Sequence, residues 1–340
     1  MKEKKNSGKG AVFLKILIGA VLVLLLVLLA YRGGRWLETR NEKPAPRGDS
    51  SQRLEYDSMI NYGGKKYRLR KDITTVLVMG IDTESEEIET GEGEYRNGGQ
   101  ADFQRLIVAD HGNKRIIQIA IDRDTMTDIT VLGVLGNSAG TREAQICLAH
   151  SFGGGGDDSC TLACDAVSEL FLGIPVDLYC AVNLDGISEI NDFVGGITVT
   201  LQDDFTSLDP EMTAGRTLTL HGRQAEYYSR SRLGIGIGTN ESRMVRQQDY
   251  IEKLLERIKE LYKEDSSFAE RFYDSLTPHM TTNIARGRLV NELSSAQGYD
   301  DSTVIGIDGE HMVGTDGFMQ FIADKDCIRD IVLDIFYEEV

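Results

Sequence analysis

Four arginines fall within 17 residues of an otherwise acidic chain: Arg230, Arg232, Arg243 and Arg246. The segment reads Tyr228-Ser-Arg230-Ser-Arg232, then Gly234, Gly236 and Gly238, then Arg243-Met-Val-Arg246-Gln247-Gln248. Successive helical residues turn by roughly 100°, so Arg230 and Arg232 serve one ligand only if their helix ends beside them. The three glycines supply that ending. Arg243, Arg246 and Gln247 are three and four apart and share a face at the start of the next helix, where the helix end already favours anions. The pattern is that of an anion clamp, although a salt-bridged helix surface would use the same residues.

Two aspartates stand at strand ends. Asp82 follows TTVLVMG, and Asp102 opens the strand leading to Leu106–Ala109. Carboxylates at the ends of neighbouring strands converge readily, and hard divalent cations take such oxygen ligands. Capping a turn is the commoner job of an Asp in a loop. Asp122-Arg123-Asp124-Thr125 directly follows the strand RIIQIAI. Its Arg either makes local ion pairs or offers a planar fork to phosphate oxygens. The run Gly153–Gly156 lacks the Lys and Ser/Thr of a phosphate-cradling loop, and His111, His150 and His221 belong to no nucleophile motif. Cys160 and Cys164 lie one helical turn apart and are expected as buried thiols.

These residues need elements to hold them. Ile73–Met79, Leu106–Ala109, Ile116–Ile121, Val176–Val182 and Ile197–Leu201 are expected strands, and INYGGKKYRLR (60–70) is a hairpin turning at Gly63-Gly64. Helices are expected at Thr141–Phe152, Cys160–Leu172, Gly186–Phe193, Gly222–Arg230 and Glu241–Lys263. Residues 265–340 read as a helical extension with a strand at Thr303–Ile307 and a last helix at Cys327–Phe336. Strands and helices mix without a clean boundary, which implies one α/β domain of αβα type, a mixed central sheet flanked by helices.

An apolar segment precedes that domain. Residues 11–31, AVFLKILIGAVLVLLLVLLAY, would reach about 30 Å as a helix, the thickness of a bilayer's hydrocarbon core. Leu28-Leu29-Ala30 is a poor cleavage site, so an uncleaved transmembrane helix is expected rather than a removed signal peptide. Residues 1–10 then form a cytoplasmic tail, and 32–71 a stalk and hairpin carrying the body (72–264, with 265–340) on the outer side. Of the net charge of −17, residues 1–31 carry +4 and the remainder −21. So acidic a body excludes bulk nucleic-acid binding.

The segments GID (80–82), AD (101–102), IDRDT (121–125), AQICLAHSFGG (144–154), NDFVGGITVTL (191–201), LHGRQAEYYSRSR (220–232) and RMVRQQ (243–248) resemble, in that order, the LytR-CpsA-Psr family. The resemblance covers about residues 72–262. It implies a single-pass protein of the cell membrane whose extracytoplasmic domain transfers a glycopolymer (teichoic acid, capsule or related polysaccharide) to peptidoglycan. The donor would be undecaprenyl-pyrophosphate-linked, the acceptor the N-acetylmuramic acid 6-hydroxyl, and the cofactor magnesium. On the same resemblance Asp82 and Asp102 hold the metal. Arg123, Arg230, Arg232, Arg243 and Gln247 bind the pyrophosphate, and Asp102 or Asp124 takes the hydroxyl proton. Departures accompany the match. Gln100 and Asp122 stand where the family usually has Arg and Pro, Phe103 replaces a common Thr, and Asn240 begins an altered approach to Arg243. A polyprenyl-phosphate-binding regulator without turnover, or a pyrophosphatase, are the alternatives those changes leave open.

Overall fold

The computed structural model describes residues 59–83, 98–133, 138–176, 178–231, 234–236, 240–265, 267–287, 299 and 301–340. The expected tail, membrane span and stalk (1–58) and the glutamate-rich segment 84–97 lie outside them. Among the described residues no helix is long and apolar enough to cross a membrane.

A hairpin of β1 (Met59–Tyr62) and β2 (Lys65–Leu69) comes first. Gly63 and Gly64 take φ of 57° and 79° between them, the left-handed pair that a tight hairpin turn demands. The central sheet follows with β3 (Ile73–Ile81), β4 (Ala101–Asp110), β5 (Arg115–Ile121), β8 (Leu178–Val182), β11 (Met280–Thr282) and β12 (Asp301–Gly306), in the order β11-β8-β3-β4-β5-β12. It is mixed: β3 pairs parallel with β8 and antiparallel with β4, and β12 lies parallel to β5. Beside it, β6 (Met126–Leu132) pairs with β7 (Ser138–Gln145), β9 (Ile197–Thr200) with β10 (Thr217–Leu220), and β13 (Gly309–Val313) with β14 (Met319–Ala323).

Both faces of the sheet are covered, which is why β4 reads as an almost unbroken buried run rather than an alternating one. Leu106 and Val108 face one core with α1 (Leu148–Ser151), α2 (Gly156–Leu170) and α7 (Lys325–Phe336). Ile107 and Ala109 face the other, built by α3 (Leu184–Phe193), α4 (Arg223–Arg230), α5 (Asn240–Glu264) and α6 (Phe268–Leu276). Each fully buried Leu, Ile or Phe contributes about 1.5–3 kcal/mol. This is the αβα arrangement that the mixed strands and helices implied.

Two stretches differ from expectation. Thr141–Phe152 is not one helix. Residues 141–145 belong to β7 and pair with β6, and helix is confined to α1. Thr141 sits opposite Thr130 in that pair, so cross-strand pairing overrides a weak local helical period. The region 265–340 is not a helical add-on either. It holds β11 and β12 at the two edges of the main sheet, the β13–β14 hairpin, and β15 (Tyr337–Glu339) paired with β2. These strands are short and β13 is exposed throughout, so they carry little hydrophobic pattern. The tail therefore completes the body, and the first hairpin belongs to it as well. Arg70 donates to Asp110 at 2.9 and 2.5 Å, locking the exit of β2 to the end of β4.

Candidate functional site

Antiparallel and parallel pairing together set the site. Because β4 runs against β3 and β5, the end of β3, the start of β4 and the end of β5 meet at one rim of the sheet, joined there by the end of β8. Asp82, Asp102 and Arg123 occupy those three positions. Asp82 is fastened by its own loop: its Oδ1 accepts the Gln100 N–H at 2.5 Å, and its N–H donates to the Gln100 carbonyl at 3.1 Å. Gly99 allows this, because at φ +76° a Cβ there would lie 2.5 Å from Thr83 and 2.7 Å from Ile81.

Arg123 is the hub. Nη1 donates to Asp102, Nη2 to Gln100 Oε1 at 2.7 Å and weakly to Cys147 Sγ at 3.6 Å, and Nε faces Asp124 at 3.5 Å. Burial pushes the Cys147 thiol up to about 12, so the sulfur is a neutral neighbour. Arg230 approaches from the last turn of α4, with Nη1 on Glu226 Oε1 at 2.7 Å.

Between the sheet rim and helices α3, α4 and α5 lies a cavity of about 620 Å³. Asp82, Asp102, Arg123, Arg230 and Gln247 all line it. The rest of its wall is largely apolar, with Val78, Ile187, Ile190, Tyr227, Ile251 and Leu254. No sequence pattern announced this slot, since β3, β4, β8, α3, α4 and α5 together supply it. Gln100, Cys147 and Glu226, which hold the arginines, were equally invisible as neighbours.

Three sequence expectations need correction or remain outside. Arg246 does not join Gln247 in a clamp. It is 4% exposed, donates from Nε to the Tyr228 carbonyl at 3.1 Å and from Nη2 to the Ser231 carbonyl, and pairs with Asp203 at 2.8 Å. One step along a helix turns a side chain by about 100°, so adjacent residues 246 and 247 face different surroundings. It is the peg that fixes the exit of α4, and with it Arg230. Arg232 and the side chain of Arg243 lie outside the described residues. Asp124, a candidate proton acceptor, is not on the cavity wall but beside Arg123, where it accepts from Gln145 Nε2 at 3.0 Å.

Burial pushes the Asp82 carboxyl above its ordinary value; the Gln100 N–H opposes this and the nearby Asp102 charge adds to it. Among the described residues no three acidic, His or Cys side chains gather as a metal cage. Two carboxylates on a cavity wall, one with its charge under-compensated, do suit a small hard cation that completes its shell with substrate oxygens and water. Cys160 and Cys164 are buried free thiols, as expected, and His150 is a core residue bonded to the Gly99 carbonyl at 2.9 Å.

The Asp122–Asp124 loop is also held from outside. Asp122 accepts the Asp124 N–H at 2.8 Å and meets His311 Nε2 of β13 at 3.1 Å, while Phe321 N–H of β14 donates to the Asp124 carbonyl at 2.8 Å.

Among known proteins, the chain is 28% identical over 271 residues to Biofilm regulatory protein A of Streptococcus mutans, covering 75% of this chain and 61% of that one. It is 27% identical over 250 residues to the polyisoprenyl-teichoic acid–peptidoglycan teichoic acid transferase TagU of Enterococcus faecalis, covering 74% and 72%. The fold is that of protein gbs0355 of Streptococcus agalactiae, with a TM-score of 0.62 at 24% identity over 78% of this chain and 86% of that one. Residues 40–332 match the LytR_cpsA_psr family, and the chain belongs to it.

Proposed function

We propose that this chain is a phosphotransferase that moves a glycopolymer from undecaprenyl pyrophosphate to the 6-hydroxyl of peptidoglycan N-acetylmuramic acid. One observation carries the reading: a single cavity joins an arginine-and-carboxylate end to an apolar slot, matching a substrate that is diphosphate at one end and polyprenyl at the other. The transferase name of the Enterococcus relative supports it.

The diphosphate lies against Arg123 and Arg230, with Gln247 as a neutral donor, and the polyprenyl chain lies along Ile187, Ile190, Ile251 and Leu254. The acceptor oxygen attacks the polymer-side phosphorus. A phosphodiester to the wall forms, the P–O–P bond breaks, and undecaprenyl phosphate leaves. Arg123, already fixed on three sides, stabilises the charge that develops without reorganising. Of the two candidate proton acceptors, Asp102 is the one lining the cavity, and it takes the hydroxyl proton. Asp82 and Asp102 would hold magnesium, which would supply charge neutralisation for the diphosphate. Residues 11–31 anchor the chain in the cell membrane, with the body on the outer side, where the polymer and the wall meet.

The test incubates the full chain in detergent micelles with magnesium, a lipid-pyrophosphate oligosaccharide and peptidoglycan fragments. Coupled product is expected. Free phospho-oligosaccharide alone would make the protein a pyrophosphatase. Tight binding with no product would make it a binding regulator, a reading that Gln100, Asp122 and the regulatory name of the Streptococcus relative favour. Arg123→Ala and Arg230→Ala abolish the coupling.

A further inference from the structure

The loop that carries Arg123 is gripped by a hairpin 189 residues further along the chain. β14 runs beside it in parallel: Thr125 bridges Phe321, and the Phe321 N–H donates to the Asp124 carbonyl at 2.8 Å. Gln145 Nε2 ties the same segments, donating to Asp124 Oδ1 at 3.0 Å and to the Met319 carbonyl at 2.6 Å. These bonds hold the loop on the Asp124 side of Arg123. On the other side the hairpin reaches Asp122 through His311, whose Nε2 lies 3.1 Å from Asp122 Oδ2.

Both oxygens of that carboxylate are then engaged, since Oδ1 accepts the Asp124 N–H at 2.8 Å. A carboxylate has only acceptors to offer, so His311 Nε2 carries the hydrogen. The imidazole is aimed by β14. His311 stands opposite Phe321 in the hairpin, the two ring centres are 4.8 Å apart, and Phe321 is buried. A half-exposed histidine on an otherwise exposed strand is thus given a fixed direction by a buried aromatic.

What the contact does follows from where Asp122 sits. Asp122 and Arg123 wall the same small pocket beside the main cavity, together with Asp102 and Gln247. Asp122 also precedes Arg123 in the backbone, so rotation of its carboxylate shifts the loop on which the guanidinium is mounted. The same rotation brings a negative charge toward the diphosphate end. Small errors of aim at a reacting centre cost rate more than affinity.

We propose that His311 is a positioning residue for the transfer: through Asp122 it sets the aim of Arg123 on the diphosphate. The tie to catalysis rests on the function proposed above; the tie between His311 and the loop does not.

Two arms test this with the full chain in detergent micelles. The first needs no substrate and follows hydrogen exchange of the segment holding Arg123, Asp124 and Thr125 by mass spectrometry. His311→Ala speeds exchange there about fivefold, the worth of one partly screened hydrogen bond. His311→Gln, whose side-chain amide donates in place of the imidazole, stays within about twofold of wild type. Exchange that His311→Ala leaves unchanged overturns the tie to the loop, whatever the transfer assay gives. In the second arm, transfer is measured from a lipid-pyrophosphate oligosaccharide to peptidoglycan fragments. His311→Ala lowers kcat about fivefold and leaves the donor KM within about twofold, because Arg230, Gln247 and the apolar slot still hold the donor. His311→Gln recovers kcat. In an Asp122→Ala background, His311→Ala costs less than about twofold, since the residue it acts through is already gone. Equal fivefold losses in both backgrounds, a rise in KM with kcat unchanged, or faster exchange with unchanged kcat each refute the positioning role. A wild type that exchanges as expected but forms no coupled product refutes the transfer reading instead.

Discussion

Replacing Arg123 by Lys separates chemistry from folding. The guanidinium uses all three nitrogens: Nη1 on Asp102, Nη2 on Gln100 at 2.7 Å, and Nε facing Asp124 at 3.5 Å. A lysine ammonium keeps the positive charge but is one point, so it cannot hold Asp102 and Gln100 in the same plane and still face a phosphate. The side chain is 23% exposed, so water screens these contacts only partly. Losing one preorganised donor at a reacting centre costs on the order of 10²–10³ in turnover, about 2.7–4 kcal/mol of transition-state stabilisation. Stability responds differently. Asp102 and Asp124 keep a cation between them, so the melting midpoint stays within about 3 °C of wild type. Arg123→Ala leaves the half-buried Asp124 without its counter-charge and costs about 1–3 kcal/mol of stability as well. The assay follows coupling of a lipid-pyrophosphate oligosaccharide to peptidoglycan fragments alongside thermal melting. A lysine variant within tenfold of wild-type turnover would refute the idea that the planar fork, rather than charge alone, does the chemistry.

Three other outcomes follow from the same geometry. Ile190→Asp or Ile251→Asp puts a carboxylate into the apolar slot and weakens binding of polyprenyl phosphate by about a hundredfold or more, read by displacement of a fluorescent polyprenyl analogue; unchanged affinity would place the lipid elsewhere. Asp82→Asn raises the metal-free melting midpoint at neutral pH, because burial disfavours the native carboxylate, and abolishes stabilisation by magnesium. For the same reason the wild type gains stability relative to that variant as pH falls through the raised pKa of Asp82, and an opposite slope in denaturant titrations would contradict the assignment. Asp110→Asn leaves Arg70 with Asp72 as its only carboxylate and costs about 1–3 kcal/mol in guanidinium unfolding. Burial works against that carboxylate, but Arg70, Asn113 and Arg115 hold it well below the usual range. Its contribution is thus full above the unfolded carboxyl value of about 3.9 and lost as pH drops below that.

How much of this could be read from residues alone depends on the range of the forces involved. Gly63-Gly64 announces its hairpin because the turn itself requires left-handed backbone. Asp82, Asp102 and Arg123 were identifiable because each ends or begins a strand, and a sheet gathers strand ends. Their convergence needed only that β3, β4 and β5 be neighbours. Arg246 misled, since spacing places a residue on a helix face but does not say what packs there; Tyr228, Ser231 and Asp203 claim it. β7 misled because its partner, β6, and not its own pattern, makes it a strand. The apolar slot was beyond reading: Val78, Ile187, Tyr227 and Ile251 come from different elements, and each is unremarkable where it stands.

The departures from the family pattern look, in three dimensions, less like lost function than like charges given other partners. Asp122, a negative charge beside Arg123 in the sequence, turns its carboxylate to the Asp124 N–H and to His311. Gln100, standing in for an arginine, accepts from Arg123 instead of competing with it for phosphate. One cation fewer and one anion more at this rim would ordinarily weaken an anion site, and each change is met by a neighbour from a distant part of the chain.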